Sequence, residues 1–266
     1  MSVLSAVKPT IEVGHHPVFV LFGLKFNVDV MASTTLAVII FLALGYAMKR
    51  RATAGVPGKL QYIYEYIVYE LVGETAESAI GAKYKRFVPI GVTLFMFIWI
   101  CNWLSVLPSA LQPGVSFELL PPPTSDVNLP LAMALVVIAW VHIESVRARG
   151  FKGYIKHYFQ PFGALAPINL IEEITKPITL TFRLFGNLFS GGLMVLVVTV
   201  LVPSIVKPFV LPGFEFGWKI FDMLIGVIQA YIFMLLTILY FGMAMSHDES
   251  HQDLHVEAPA LAKASH

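Results

Sequence analysis

Long runs without a charged residue are the feature that most restricts what this chain can fold into. A helix rises about 1.5 Å per residue, so roughly 20 apolar residues cross the hydrocarbon core of a bilayer. Five runs approach or exceed that length, with Asp222 as the one charge inside them: Val30–Met48, Val88–Leu107, Val127–Ile143, Leu184–Val206 and Ile220–Met245. Charged residues make up only 13% of the 266 positions and hydrophobic residues 57%. We therefore predict an all-α integral membrane protein.

The predicted layout is one membrane domain over 1–266, with five transmembrane helices and one interfacial amphipathic helix. The last two of the transmembrane helices are predicted to be long, tilted and antiparallel. Its parts are an external N-terminus (1–29), membrane helices at 30–48, 88–107, 127–146, 165–206 and 218–246, the interfacial helix at 58–82, an external loop at 108–126 and a cytoplasmic tail at 247–266.

Lysine and arginine are sorted along the chain, which sets its orientation. Eleven of the 18 basic residues lie at 49–86 and 147–156, whereas the loop 108–126 has none. Basic loops stay on the cytoplasmic side, so we expect the N-terminus outside and the C-terminus in the cytoplasm. The net charge of +1 gives no reason to expect a nucleic-acid partner.

The segment 58–82 carries an apolar stripe at helical spacing, typical of an amphipathic helix. The stripe consists of Leu60, Ile63, Tyr64, Ile67, Val68, Leu71 and Val72. Such a helix lies either on the lipid surface or against another subunit, and the sequence leaves both alternatives open.

Arg183 is the charge whose position needs the most explanation, because an ionisable group at bilayer depth costs about 2.5–3.5 kcal/mol. It precedes 23 uncharged residues, so an ordinary flank of a membrane helix is one interpretation. Against it, Asn187, Ser190 and Met194 follow at i+4, i+7 and i+11, which extends a polar face above the arginine. Gly191 and its neighbouring glycines would let a second helix approach closely.

The last predicted helix carries a matching pair, Asp222 and Gln229, two turns apart on one face. If Gln229 lies opposite Arg183 in an antiparallel pair, Asp222 falls about 10.5 Å further out, level with Ser190 to Gly192. This places a fixed cation at mid-depth with a titratable carboxyl outside it, the outline of an ion half-channel. Interhelical hydrogen bonding for packing is the alternative for Gln229.

Several segments resemble subunit a of rotary F-type ATP synthases. The run KPITLTFRLFGNLFSGG at 176–192 is similar to that family's signature helix, and DMLIGVIQAYIFMLLTILY at 222–240 is similar to its final helix. NWLSVLPSAL at 102–111, SDVN at 125–128 and GHHPVF at 14–19 follow the family order.

The resemblance implies roles for named residues. Arg183 corresponds to the essential arginine that faces the ring of c subunits. The proton path implied around it comprises Asp222, Gln229, Asn187, Asn102, Asp126, Ser190 and Ser105 on or near the outer side, and Glu172, Glu173, Lys176, Thr175 and Thr179 on the cytoplasmic side. Many bacterial relatives pair a glutamate and a histidine where this chain has Gly192 and Asp222, so our hypothesis makes Asp222 the principal outer proton relay.

The function implied is that of a non-catalytic, proton-translocating stator subunit, which provides two half-channels and couples proton flow to rotation of the c-ring. Its partners would be the c-ring, the b-type peripheral stalk, the rest of the F1Fo complex and the lipid bilayer, in a bacterial plasma membrane. No phosphate-binding GxxxxGK[ST] motif occurs, so ATP chemistry would belong to other subunits. We expect no cofactor and no metal, although a solvated tail with four histidines leaves metal binding as an alternative: His247, His251, His255 and His266.

Two other functions fit a polyhelical membrane chain. A stand-alone proton-coupled secondary transporter would show an internal repeat and helices broken in both halves, which the sequence does not contain. A structural scaffold would use the same polar residues for packing. The sequence also leaves open whether the ion is a proton or sodium.

Overall fold

A computed structural model describes residues 18–21, 24–53, 55–104, 123–158, 166–203 and 207–245. In chain order its elements are β1 (Val18–Leu21), β2 (Leu24–Asn27), α1 (Val28–Arg51), α2 (Lys59–Glu65), a π-helical segment (Tyr66–Gly73), α3 (Glu74–Ile80), a 3-10 segment (Gly81–Arg86), α4 (Val88–Leu104), a 3-10 turn (Pro123–Ser125), α5 (Asn128–Tyr158), α6 (Ala166–Leu201) and α7 (Lys207–Met245). The predicted helical membrane fold is confirmed. Ser105 and the four tail histidines lie outside the described residues.

A short hairpin before α1 was not predicted. β1 pairs antiparallel with β2, with Val18 opposite Asn27 and Leu21 opposite Leu24. The paired residues are mostly β-branched, aromatic or leucine, side chains that suit a pleated ribbon. The hairpin ends where α1 begins, so it sits at the entry to the first membrane helix.

Three helical segments of the described chain are long and apolar enough to cross a membrane: Val30–Arg51, Asn128–Ile155 and Pro212–Met245. A fourth is found if Lys59–Arg86 and Val88–Leu104 are counted together, although a bend of 112° separates them. That bend is the geometry expected of a segment lying along the surface before a helix that crosses. The described residues thus contain three or four candidate membrane spans. The remaining one of the five predicted spans stays a prediction.

The span that remains a prediction is the fourth in chain order, at 165–206, which corresponds to α6, a helix of 36 residues. Its C-terminal part, Leu184–Leu201, carries no charge and would extend about 27 Å at 1.5 Å per residue. Length alone therefore allows this half to cross the hydrocarbon core, while its N-terminal half carries Glu172, Glu173, Lys176 and Arg183.

Helix α7 is central to the packing, because it contacts α3, α4, α5 and α6. Its inner face contributes the fully buried residues Phe233, Met234, Ile238 and Phe241. The ring of Phe87, at the entry to α4, lies 4.6 Å from that of Phe241 between ring centroids. In contrast, α1 packs on α4 and leaves large apolar side chains uncovered, as expected of a helix that borders lipid.

The amphipathic segment divides into two halves. Leu60 and Ile63 of α2 are exposed, whereas Ile67 and Val72 join the core beside α4 and α7, together with Ala76 and Ile80 of α3. The π-helical segment separates the halves. Its wider turn brings the Val68 carbonyl within 3.0 Å of a Cβ built on Gly73, so a larger residue there would be crowded. The inner half of the predicted stripe therefore packs on this chain itself.

Close backbone approach holds α3 against α7. A Cβ built on Gly242 would collide with the Ala79 carbonyl oxygen, and its distance to the Ala79 carbonyl carbon would be 3.0 Å. A Cβ on Gly91 of α4 would lie 2.7 Å from Val72 Cγ1 and 3.2 Å from Ile238 Cδ1. Glycine at these points lets the surface segment sit directly on two long helices.

A buried carboxylate ties the surface segment to α5. Glu144 is only 3% exposed, and its Oε1 accepts from Arg86 at 2.9 Å, Arg147 at 2.8 Å and Trp140 Nε1 at 3.2 Å. Two guanidinium groups offset the cost of burying the anion. The sequence alone did not assign Glu144 a partner.

Helix α5 runs past its predicted end at 146. It kinks at Gly150, whose φ of 72° is readily adopted only by glycine, and continues to Tyr158. Beside the kink, Arg149 Nη2 donates to the Met243 carbonyl at 2.7 Å, which satisfies one of the orphan carbonyls at the end of α7. That helix also begins earlier than the predicted residue 218, at Lys207, and contains Pro212.

We expect Gly242→Ala to destabilise the subunit by about 1–3 kcal/mol, because α3 must move away from α7 to admit a methyl group. The measurement is the amount of subunit left in solution after stepwise heating of the detergent-extracted complex. Gly45→Ala is the matched control, since nothing lies within 4 Å of a Cβ there and alanine favours a helix. Equal heat resistance of the two variants would contradict the close packing.

Candidate functional site

Two contacts fix how α6 and α7 lie against each other. A Cβ built on Gly191 would be 3.6 Å from Asp222 Oδ1. Towards the N-terminal end of α6, Lys176 Nζ lies 5.4 Å from the ring centroid of Tyr240. Residue numbers rise along one helix as they fall along the other, so the pair is antiparallel, and Asp222 lies at the predicted level.

The same two contacts bracket Arg183. Counting from either of them along both helices brings Arg183 level with residues 230–233 of α7. This is within about one turn of Gln229. The structure therefore places the arginine close to the glutamine in height, slightly nearer the N-terminal end of α6 than the sequence predicts.

Arg183 is half-buried, and in the described part of the chain it forms no hydrogen bond or ion pair. Leu180 and Leu184 on its flanks are buried, whereas Phe182 is 60% exposed. The guanidinium group thus lies at the border between the packed face of α6 and a face that this chain does not cover.

The uncovered face of α6 carries a polar stripe. Glu172, Thr175, Thr179 and Ser190 are all exposed, and their spacing from Arg183 of −11, −8, −4 and +7 puts them on one side of a helix. Between Arg183 and Ser190, a Cβ on Gly186 would have no neighbour within 4 Å. Large exposed apolar residues flank the stripe: Ile171, Ile178, Phe182, Phe189, Leu193 and Val197.

The hydroxyl groups of this stripe bond within their own helix. Thr175 Oγ1 donates to the Ile171 carbonyl at 2.8 Å, and Ser190 Oγ donates to the Asn187 carbonyl at 2.9 Å. Asn187 itself is half-buried. Each hydroxyl oxygen keeps its acceptor lone pairs, so the stripe can still accept a hydrogen bond from outside.

Gln229 faces inwards and is 8% exposed. Its Nε2 has no hydrogen-bond acceptor among the described residues. Buried amide groups are nearly always paired, so an unpaired one beside Arg183 marks a position where a polar partner is expected.

A second polar group lies around Asn102, where α4 meets α7. Asn102 Nδ2 donates to the Gly226 carbonyl at 2.9 Å, and Thr124 Oγ1 donates to Asn102 Oδ1 at 3.0 Å. A Cβ on Gly226 would lie 2.9 Å from Asn102 Cβ, so only glycine permits this approach. Asp222 lies one turn along α7 from Gly226. The structure brings Asn102 and Asp222 into one region, and it adds Thr124, which sequence reasoning missed.

Asp126 anchors the start of α5. Its Oδ1 accepts from the Asn128 backbone N–H at 3.0 Å and from Asn128 Nδ2 at 2.7 Å, while its Oδ2 accepts from Asn27 Nδ2 at 2.8 Å. These bonds join the end of the hairpin to the loop before α5. Asp126 therefore has a structural task in addition to the entrance role predicted for it.

The two adjacent glutamates of α6 point in different directions. Glu172 is exposed with the polar stripe, whereas Glu173 turns towards α5. Glu173 Oε1 accepts from Lys176 Nζ at 2.6 Å, and Glu173 Oε2 lies 3.7 Å from His142 Nε2. Neighbouring residues on a helix are about 100° apart, which separates the predicted carboxylate pair.

His142 and Tyr154 are the residues of this region that sequence reasoning missed. The Tyr154 hydroxyl lies 3.2 Å from His142 Nδ1. The available signal was an imidazole inside the predicted membrane helix 127–146, since titratable groups at that depth are rare and functional.

Comparisons with known proteins extend over most of the chain. The ATP synthase A chain family matches residues 30–242. A protein of Acidothermus cellulolyticus named ATP synthase subunit a is 43% identical over 235 residues, which cover 88% of this chain and 83% of that protein. The subunit a of Mycobacterium marinum is 43% identical over 252 residues, covering 93% of this chain and 98% of that protein. That of Mannheimia succiniciproducens is 34% identical over 255 residues, covering 89% and 96%.

The match spans the α6 and α7 residues described above and most of both chains in each pair. The chain therefore belongs to the ATP synthase A chain family, as a membrane component of the F1Fo ATP synthase.

Proposed function

We propose that this chain is the stator subunit that conducts protons through two offset half-channels and couples their flow to rotation of a c-ring. The observation that carries the proposal is the polar stripe of α6, with one unpaired cation in its middle, on an apolar face that the described residues leave uncovered. An apolar face with a charge at its centre suits a partner that is itself apolar and carries one carboxylate.

The central step is removal of a proton from the rotor carboxylate. An ionised carboxylate cannot cheaply face lipid, so it must be protonated while it travels through the bilayer. When it reaches Arg183, the guanidinium group favours the ionised form and the proton departs towards the cytoplasm. Arginine stays charged under all these conditions, so it cannot carry the proton itself and short-circuit the two half-channels.

The outer half-channel is assigned to the region between α4, α6 and α7. Asp222 lies against Gly191, whose missing side chain leaves the carboxylate room, and Asn102 with Thr124 supplies polar atoms one turn away. Asp222 is the titratable group among them, so it relays protons from outside to the rotor. Each proton that crosses releases about 2.3 kcal/mol per 100 mV of membrane potential.

The proposed surroundings follow from the same assignment. The c-ring docks on the exposed face of α6, and the b-type peripheral stalk holds the subunit still. The basic segments 49–86 and 147–156 stay in the cytoplasm of a bacterial cell, with the N-terminus outside. ATP is made on other subunits of the complex.

We expect Arg183→Ala to lower ATP-driven proton pumping by at least about 100-fold, because a charge in a low dielectric contributes about 3 kcal/mol or more. Pumping is measured by dye quenching in inverted membrane vesicles that carry the intact complex. Arg50→Ala is the matched control, since Arg50 is exposed at the end of α1 and stacks on Tyr46. A scaffold without a proton path predicts equal pumping by both variants.

Asp222→Asn should reduce pumping roughly tenfold or more, because the amide keeps the shape of the side chain but cannot release a proton. Asp222→Glu should recover part of the loss, since it restores the titratable group one methylene further out. The assay is the same, with the amount of assembled subunit checked by immunoblot. Near wild-type rates for Asp222→Asn would rule out the relay role while leaving the Arg183 barrier intact.

A further inference from the structure

We propose that His142 is the terminal proton relay of the cytoplasmic half-channel, exchanging protons with water in the cavity between α5 and α6. This inference rests on the proposed function, since it assigns the last step of the exit path. It concerns a residue that lies outside the polar stripe and outside the motifs that resemble the family.

The cavity beside His142 has a volume of about 580 Å³, which is room for several water molecules. Its walls are mainly apolar, and His142, Tyr154 and Glu173 provide its polar part. The His142 side chain is 33% exposed and that of Glu173 is 23% exposed, so the described residues leave part of both side chains uncovered. The other lining residues are Leu131, Leu135, Leu170, Ile174, Pro177 and Ile178.

The position along α6 suits an exit step. Glu173 precedes Arg183 by ten residues, which is about 15 Å along a helix. With the N-terminal half of α6 on the cytoplasmic side, the cavity lies between the arginine barrier and the cytoplasm. A proton leaving the rotor must cover this distance, and a fixed titratable group shortens each transfer.

Two titratable side chains of the described residues lie directly at the His142 ring, Tyr154 and Glu173. Tyr154 comes from the same helix, α5, and lies at Nδ1. Glu173 comes from α6 and lies at Nε2, while its other oxygen is held by Lys176. The Lys176 ammonium in turn lies over the ring of Tyr240 from α7. Of the two carboxylate oxygens of Glu173, only Oε2 therefore lies next to His142.

Both protonation states of His142 find partners without a change of rotamer. In the charged form, Nδ1–H donates to the Tyr154 oxygen and Nε2–H points at Glu173 Oε2. In the neutral form that takes up a proton, Nδ1–H still donates to the Tyr154 oxygen, and the lone pair of Nε2 lies on the Glu173 side, where it can accept the arriving proton. A group that is satisfied in both states can load and unload a proton rapidly.

The proton balance is one in and one out. A proton arriving from the rotor along the Glu173 side binds an imidazole nitrogen and gives imidazolium, and the imidazolium then releases one proton to cavity water. No other bond forms or breaks. Histidine suits this step because, as a residue type, it changes charge between about pH 5 and 8, an interval that includes the near-neutral pH of a cytoplasm.

The test uses the intact complex in inverted vesicles, whose cytoplasmic face is outside. Pumping by wild type and His142→Gln is measured over an external range of about pH 5.5 to 8.5, and ATP hydrolysis by detached F1 corrects for the catalytic subunits. We expect His142→Gln to pump at about one tenth of the wild-type rate or below, and to depend less on external pH than wild type does. Glutamine keeps a polar side chain at the site, so assembly should persist.

Chemical rescue gives an independent measurement. Because the cavity has room for a free ring, imidazole added to the external buffer should restore much of the pumping of His142→Ala. Ile155→Ala is the control, a truncation of an exposed side chain in the same helix that does not line the cavity, and it should need no rescue. A phosphate buffer of the same pH and ionic strength, which lacks an imidazole ring, should not restore pumping.

The outcomes separate the two proposals. An unchanged pH profile in His142→Gln, or an assembled His142→Ala variant that imidazole does not restore, would overturn the relay role of His142. If Arg183→Ala still abolishes pumping in that case, the proposed function stands and only this inference fails. If Arg183→Ala pumps normally, the proposed function fails first.

Discussion

The antiparallel contact between α6 and α7 determines where every charge of the proposed path lies. Gly191 lets the Asp222 carboxylate come against the backbone of α6, and Lys176 on Tyr240 fixes the other end of the pair. Arg183 is held between these two contacts, with its neighbours on α6 packed inwards. A titratable carboxyl and an unpaired cation therefore occupy separate levels of one helix pair, as two half-channels require.

Much of this arrangement could be predicted, because it depends on spacing along single helices. The rise of 1.5 Å per residue gives the level of Asp222 opposite Gly191 once two helices are assumed to be antiparallel. The charge-free runs likewise predict a helical membrane chain, and the family match agrees with the resemblance carried by RLFGN at 183–187. Periodicity is local information, and a sequence states it directly.

The remainder depends on how helices are rotated about their own axes, which no single segment specifies. Glu172 and Glu173 are neighbours in sequence, yet one faces outwards and the other faces His142. The π-helical segment at 66–73 changes the rotation of the apolar stripe that follows it. These rotations bring together residues far apart in sequence, such as Glu144 with Arg86 and Asn102 with Gly226. Such pairs can be identified only from the three-dimensional structure.

Glu144 has a mechanical consequence under the proposed function. A ring turning against α6 would push this helix sideways, and the load would pass into α5 and α7, which pack on it. Glu144 links Arg86 and Arg147, and Arg149 holds the last turn of α7. The ion cluster would then act as a brace, fastening these helices so that torque turns the rotor instead of deforming the stator.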